Sequence, residues 1–257
     1  MLNFALLHVR LVFLSSHFGL SPCIRFNLLY IITIVVTVKK LTDIELMREA
    51  CESTFLGKSN QSLISIYKSE HSPARTQIFW VKITNVKLYV STHLLRHHVG
   101  SQPFALTMRN DGRGGKDQCP YIAHRLRELY AIPDNERTES DNEEINNLLD
   151  ELENKAGRNA LTNLSLFINA QSLIDMAKLR LCFKASSETR DVFSAIKQEV
   201  SKVDPDLANM MVSKCVYRNG LCGEQACCGY NCTERFKVEL DHYLSFFTNK
   251  QKGINLK

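Results

Sequence analysis

A chain of 257 residues has the length of one large domain or two small ones. Hydrophobic residues at 44% suffice for a sizeable core, and 23% charged residues is ordinary for a soluble protein. A net charge of +5 is too mild to point to nucleic acid, yet it suits anionic small molecules.

The first twenty residues are apolar with one arginine and read as an appendage of unassigned role. They lack the basic start and small-residue cleavage site of a secretory signal. Leu28 to Val38 is an unbroken apolar run, too short for a bilayer and rich in β-branched residues, so it predicts a buried strand. Residues 1–40 are therefore expected to be an apolar N-terminal extension ending in a strand. Thr42 or Asp43 can cap a helix through Ile44, Leu46, Met47 and Ala50. Ser62 to Lys68 predicts a short helix, Gln77 to Ile83 a strand, and Val86 to His97 a further helix with charge gathered at its end. Residues 111–160 are polar and read as a partly irregular insertion, with an acidic stretch from Asp134 to Asn147 expected to be a solvated face or a mobile segment. Ala170 to Lys184 and Glu188 to Lys202 predict two helices. Val192, Phe193, Ile196 and Val200 form a core stripe on the second.

Nine cysteines are unevenly spread, with Cys215, Cys222, Cys227, Cys228 and Cys232 crowded near the C-terminus. An odd count with an adjacent pair is a poor disulfide framework, so a reducing, cytoplasmic setting is expected. The five crowded thiols are enough for a tetrahedral zinc site, but their spacing lacks paired C-x2-C knuckles. A structural metal and a set of reduced thiols in a turn-rich tail both remain open.

Arg96-His97-His98 is a poor choice for a core, since charge buried without partners costs several kcal/mol. It suits a site that grips phosphates. The stretch continues through Thr107-Met108-Arg109. Further on stand Asn169-Ala170-Gln171-Ser172-Leu173, Leu179-Arg180 and Ala185-Ser186-Ser187-Glu188-Thr189-Arg190, while Glu70-His71-Ser72-Pro73 precedes them all.

In this order the blocks resemble the signature of the flavin-dependent thymidylate synthases (the thymidylate synthase-complementing family), over about residues 40–205. The cysteine-containing tail is similar to that of divergent phage-type members. Departures are plain: His98 stands for an arginine, the hydroxyl of Thr107 comes one residue late, Gln171 replaces an arginine and Asp175 an asparagine. Lys184, Arg113 and Lys116 are the candidate replacement cations.

The resemblance implies an α/β, mixed helix-and-sheet thymidylate synthase-complementing fold over residues 41–205, with a cysteine-rich segment and helix over 206–257. It implies a methyltransferase that reductively methylates dUMP to dTMP, with FAD as cofactor and NADPH and methylenetetrahydrofolate as co-substrates. It also implies a homotetramer with active sites between subunits, acting on a small molecule and binding neither nucleic acid nor membrane. Arg109 and Arg180 would be catalytic, holding the nucleotide. His93, Arg96 and Thr107 would join them on the substrate. His71, Arg96, His97, His98, Asn169, Gln171 and Asp175 would bind the flavin. Two other readings stand beside this one: a non-catalytic flavin- or nucleotide-binding relative, and a zinc-binding interaction module centred on the cysteines.

Overall fold

The computed structural model describes residues 34–54, 57, 61–106 and 119–248. Among them, four strands form one antiparallel sheet: β1 (Val35–Lys40), β2 (Ile78–Lys87), β3 (Ser101–Ala105) and β4 (Leu161–Asn169), in spatial order β1-β2-β4-β3. The mixed helix-and-sheet expectation holds, in an all-antiparallel form. Period-two alternation sends Val36 and Val38 of β1, Phe79, Val81 and Ile83 of β2, and Leu164, Leu166 and Ile168 of β4 to one face. A bulge between Ile83 and Val86, where Asn85 has φ +59°, returns Val86 to the same face.

That face is covered by α6 (Ala170–Arg180) and α7 (Ser187–Val203), whose Leu173, Ile174, Phe193, Ile196 and Val200 complete the core. The helices start where the sequence places side-chain caps. Asp43 accepts from the Leu46 amide at the head of α1 (Ile44–Thr54), and Asn169 accepts from that of Ser172 at the head of α6. Thr42 does not cap; its hydroxyl donates to the Thr76 carbonyl and accepts from the Ile78 amide, fixing the entry to β2. The predicted short helix is α2 (Leu63–Lys68), and the one after β2 is α3 (Leu88–Leu95).

The segment 206–257 shares this core as far as it is described. Past α8 (Pro205–Met210) and α9 (Lys214–Tyr217), Val216, Tyr230 and then Phe236 and Tyr243 of α10 (Glu234–Thr248) are buried in it. Phe183 stacks on Tyr230 with centroids 4.0 Å apart.

Edge strand β3, absent from the sequence reading, follows Arg96-His97-His98, and one expectation is corrected. The polar insertion is not irregular between 119 and 155: α4 (Cys119–Ala131) and α5 (Glu139–Lys155) pack through their own small core of Ile122, Leu126, Leu129 and Ile145. Thr138 and Asp141 form a reciprocal capping box, which turns an acidic run into a helix N-terminus where carboxylates are favoured. The face away from Ile145 is solvated, as the acidic composition suggested. Residues 1–33, with most of the apolar extension, lie outside the described residues.

Lys40 falls in the inward phase of β1, where an apolar side chain would be ordinary. Asp204, 3% exposed, resolves the conflict: it accepts from Lys40 Nζ at 2.6 Å, from Tyr67 Oη at 2.8 Å and from the Leu207 amide at 3.0 Å. Asp204→Ala leaves the ammonium and the phenol unpaired and uncaps α8, so a loss of about 3–5 kcal/mol is expected from urea unfolding midpoints. Tyr67→Phe removes one hydrogen bond and should cost about 1 kcal/mol. Equal losses would show that the buried ion pair is not what stabilises this junction.

Candidate functional site

The ends of α3 and α6 bring the two arginine-bearing blocks together. Arg96 is the C-terminal cap of α3, and the His97 amide closes the turn on the Leu94 carbonyl. The chain then passes Gly100 at φ +71°. A Cβ there would lie 2.3 Å from Asn169 Nδ2 and 2.4 Å from Ser172 Oγ, so the close approach requires glycine. Ser172 Oγ donates to the Val99 carbonyl at 2.6 Å, and the Asn169 amide donates to that of Gly100 at 3.0 Å. The loop after Arg96-His97-His98 is thereby bonded to the head of α6.

At the other end of α6, Arg180 Nε donates to His97 Nε2 at 2.9 Å across 83 residues of sequence. An accepting Nε2 means a neutral ring whose proton sits on Nδ1. The electrostatics agree: burial first, and the Arg180 guanidinium second, push the His97 pKa down to about 4. His93 is lowered by burial and then by Arg180 and Arg96, and its Nδ1 shares a 3.2 Å hydrogen bond with Thr189 Oγ1. Half-buried Arg180 is itself lowered by burial and then by the like charge of Arg96. No carboxylate among the described residues lies within ion-pair distance of Arg96 or Arg180. Exposed Arg96 thus lies near enough to act on half-buried Arg180, and neither has an ion-pair partner among the described residues. That arrangement favours an anion, and the fork of each group matches phosphate or carbonyl oxygens.

A second cluster lines the adjoining face of α6. Glu70, at φ 51° after the end of α2, accepts from Lys178 Nζ at 2.7 Å and from Gln171 Nε2 at 2.5 Å. Burial raises the Glu70 pKa, but hydrogen bonds from Lys178, Tyr217 and Gln171 outweigh it and hold the carboxyl below its usual range. Asp175 joins Lys178 at 3.1 Å. Gln171 Oε1 is buried with no partner among the described residues, which leaves a free acceptor within this cluster.

The structure therefore brings His93, Arg96, His97 and Arg180 together, with Asn169 at the opposite end of α6 and Gln171 and Asp175 along it. His98 is exposed, its Nδ1 3.2 Å from the Arg96 carbonyl. His71 is exposed and follows Glu70, its carbonyl accepting from the Ala74 amide. Thr107, Arg109, Arg113 and Lys116 lie outside the described residues. Sequence reasoning missed Lys178 and Tyr217; the helical spacing of Lys178 to Asp175 was the one available signal. Of the crowded cysteines, Cys215, Cys222, Cys227 and Cys228 line one small cavity with Cys182, while Cys232 does not. Among the described residues no three His, Cys, Asp or Glu side chains stand in position to hold a metal, and no helix is long and apolar enough to cross a membrane.

No protein-family model matches the chain, and no curated protein matches it. Among solved structures it is similar to a thymidylate synthase X (ThyX) from Helicobacter pylori with FAD and dUMP. That likeness has 16% identity over 68% of this chain and 99% of that one, with a TM-score of 0.46. A flavin-dependent thymidylate synthase ThyX from Helicobacter pylori complexed with FAD and dUMP gives 15% identity over 69% and 99%, with a TM-score of 0.44. Superposition at this level assigns no role to a residue.

The neutral state of His97 has a consequence for stability. Its pKa is about 4 in the fold against an ordinary 6.5, so the unfolded chain binds the extra proton between these values. Stability is fully present above the higher value and declines as pH falls toward the lower one. Solvent screening of this half-buried ring reduces the effect to roughly 1 kcal/mol. Urea midpoints of the wild type and His97→Asn, followed across that interval, should diverge, with the variant losing less stability on acidification. Parallel curves would mean that the ring keeps its ordinary basicity.

Proposed function

We propose that the chain is a flavin-dependent thymidylate synthase that methylates dUMP to dTMP. The observation that carries this reading is the 2.9 Å bond between Arg180 and His97, which joins the two signature blocks at a cationic site with no carboxylate partner. The family signature demands that such distant residues serve one ligand, and composition alone gives no reason for them to meet.

Within this reading, Arg180 and Arg109 grip the anionic pyrimidine nucleotide, and Thr107 donates to it. His93 and Arg96 stand beside the same anion. The guanidinium of Arg180 serves twice: its Nε holds His97 in one tautomer, and its two terminal nitrogens remain for phosphate or carbonyl oxygens. Charge that builds on a pyrimidine carbonyl during reduction would meet donors already in place, which removes the cost of reorganising them. His97 Nδ1–H is a donor aimed by the bond at its other nitrogen.

The residues present fit a flavin. The orphaned acceptor Gln171 Oε1, the exposed cation of Arg96 and the ring of His98 supply hydrogen bonds and charge of the kinds an isoalloxazine and its diphosphate need, with Asn169, Asp175 and His71 on the flanks. Bound FAD supplies the hydride chemistry, fed by NADPH, and methylenetetrahydrofolate supplies the carbon. A homotetramer with shared sites suits the outward face of the sheet, where Phe104 (54% exposed) and Phe167 (39%) stand beside Trp80, near Val99 (80%). A cytoplasmic setting goes with this reading.

One observation favours a non-catalytic flavin- or nucleotide-binding relative. Gln171 and Asp175 are engaged by Glu70 and Lys178, and His98 supplies less charge than the arginine it replaces, so diphosphate binding is weakened on that flank. Turnover separates the two. The purified protein should show isoalloxazine absorption and release tritium from the ring of labelled deoxyuridylate only with folate and reductant present. A yellow protein that releases none is the relative.

Arg180→Ala should weaken deoxyuridylate binding by about 10- to 100-fold, the worth of a charge-assisted hydrogen bond, and Arg109→Ala should act alike. Calorimetry reads this directly. Unaltered affinity in Arg180→Ala would remove the nucleotide from this site.

A further inference from the structure

Cys182 lies in the connector between α6 and α7, far in sequence from the crowded thiols. In the fold it meets them: Cys182, Cys215, Cys222, Cys227 and Cys228 wall one cavity of about 10 Å3. That is close to the room one water-sized sphere needs, and a single metal ion is smaller still. Backbone amides point at these sulfurs. The Gly229 amide donates to Cys227 Sγ at 3.4 Å, and those of Lys184 and Val216 donate to the sulfurs of Cys182 and Cys215. Burial, the larger influence, raises the Cys182 and Cys215 pKa, so both stay thiols until an ion displaces the proton, while donors of this kind orient the sulfurs.

The charge around the cavity fits as well. Four thiolates around a divalent ion carry a net double negative charge. Gly223 makes room for two cations beside them: a Cβ there would lie 2.7 Å from Arg218 Nη1 and 3.0 Å from Lys214 Nζ. These cations disfavour a bare metal ion; set against the Glu224 carboxylate, which also lines the cavity, they still offset part of the charge of a tetrathiolate. Sulfur ligands in this number select zinc among common divalent ions.

We infer that Cys182, Cys215, Cys222 and Cys227 form a structural zinc site that fastens the C-terminal segment to the connector following Arg180. Cys228 is a fifth thiol in the same wall, and Cys232 lies outside it. In the fold as it stands the sulfurs are not gathered in ligating positions. The segment 218–229 is turn and bend with no helix or strand, so it can draw Cys222 and Cys227 inward when the ion arrives. Four thiols lose their protons to solvent as the four zinc–sulfur bonds form, and no oxidant or reductant takes part. The ligand set differs from the one the sequence suggests: it includes Cys182 and drops Cys232.

The test uses the full chain, purified without chelator and with reductant. Elemental analysis should find one zinc per chain, and cobalt substitution should give the sulfur-to-metal charge-transfer band of a tetrahedral thiolate site. Alkylation with and without zinc, mapped by mass spectrometry, should show Cys182, Cys215, Cys222 and Cys227 protected and Cys232 reactive. Cys182→Ser and Cys222→Ser should lower zinc affinity at least ~10-fold in chelator competition, by the measure of groups that support metal ligands, while Cys232→Ser leaves it unchanged. Should the Cys182→Ser variant fail to fold, the wild-type alkylation map still decides. A wild type that takes up neither zinc nor cobalt would overturn the assignment, as would a map in which Cys232 is protected in place of Cys182.

Discussion

A guanidinium can donate to an imidazole only while that ring stays unprotonated, and the bond from Arg180 to His97 makes this condition the hinge of the site. The requirement is met because the ring is half-buried and the nearest strong charge is the arginine itself. Protonating His97 would replace a hydrogen bond by two like charges a short distance apart. Position follows from the same bond. It holds the C-terminal end of α6 against the turn after α3, while Gly100, Asn169 and Ser172 hold the N-terminal end against the loop that follows. One helix is therefore fastened at both ends to the segment carrying Arg96. Arg180 cannot shift far without breaking that bond, while Arg96 is placed through its backbone at the end of α3.

The two charged clusters on this helix differ in kind. Glu70, Lys178, Asp175, Gln171 and Tyr217 satisfy one another, and such partly buried networks are rigid but add little net energy. Arg96 and Arg180 have no such closure among the described residues. A protein keeps a half-buried cation uncompensated only at a cost, and the cost is recovered when an anion arrives. Gln171 is the exception within the first cluster, since its Oε1 has no partner among the described residues. The satisfied cluster is scaffold, and the unsatisfied one is where ligand binding energy is available.

Much of this was legible in the sequence, and the failures have identifiable causes. Caps such as Asp43 and Asn169 act within three residues, so their chemistry is written locally. The core stripe of α7 was readable for the same reason. β4 was overlooked although Thr162, Leu164, Leu166 and Ile168 alternate correctly, because Asn163 and Ser165 continue the polarity of the preceding insertion. β3 could hardly be read at all: it is an edge strand with Pro103 at its centre, only Ser101 is buried, and its pairing depends on a partner sixty residues away. The signature residues could be found one by one, but not the bond between Arg180 and His97. Nor could sequence spacing reveal Cys182 beside Cys215.

The position of Cys182 bears on the arginine site in turn. One residue separates it from Arg180, Leu181, the C-terminal cap through which the chain leaves α6. Phe183 follows immediately and stacks on Tyr230 of the C-terminal segment, with Arg190 above the other side of the connector, bonded to the carbonyls of Phe183 and Ala185. The end of the helix that presents Arg180 is thus held by aromatic packing and by the cysteine-lined turn, not by the sheet. Val216 and Tyr230 belong to the same core as the strands, so residues 215–230 tie the connector to the body of the fold. The C-terminal segment consequently bears on the core and on the orientation of the Arg180 guanidinium alike, and a change there should alter stability and ligand affinity together.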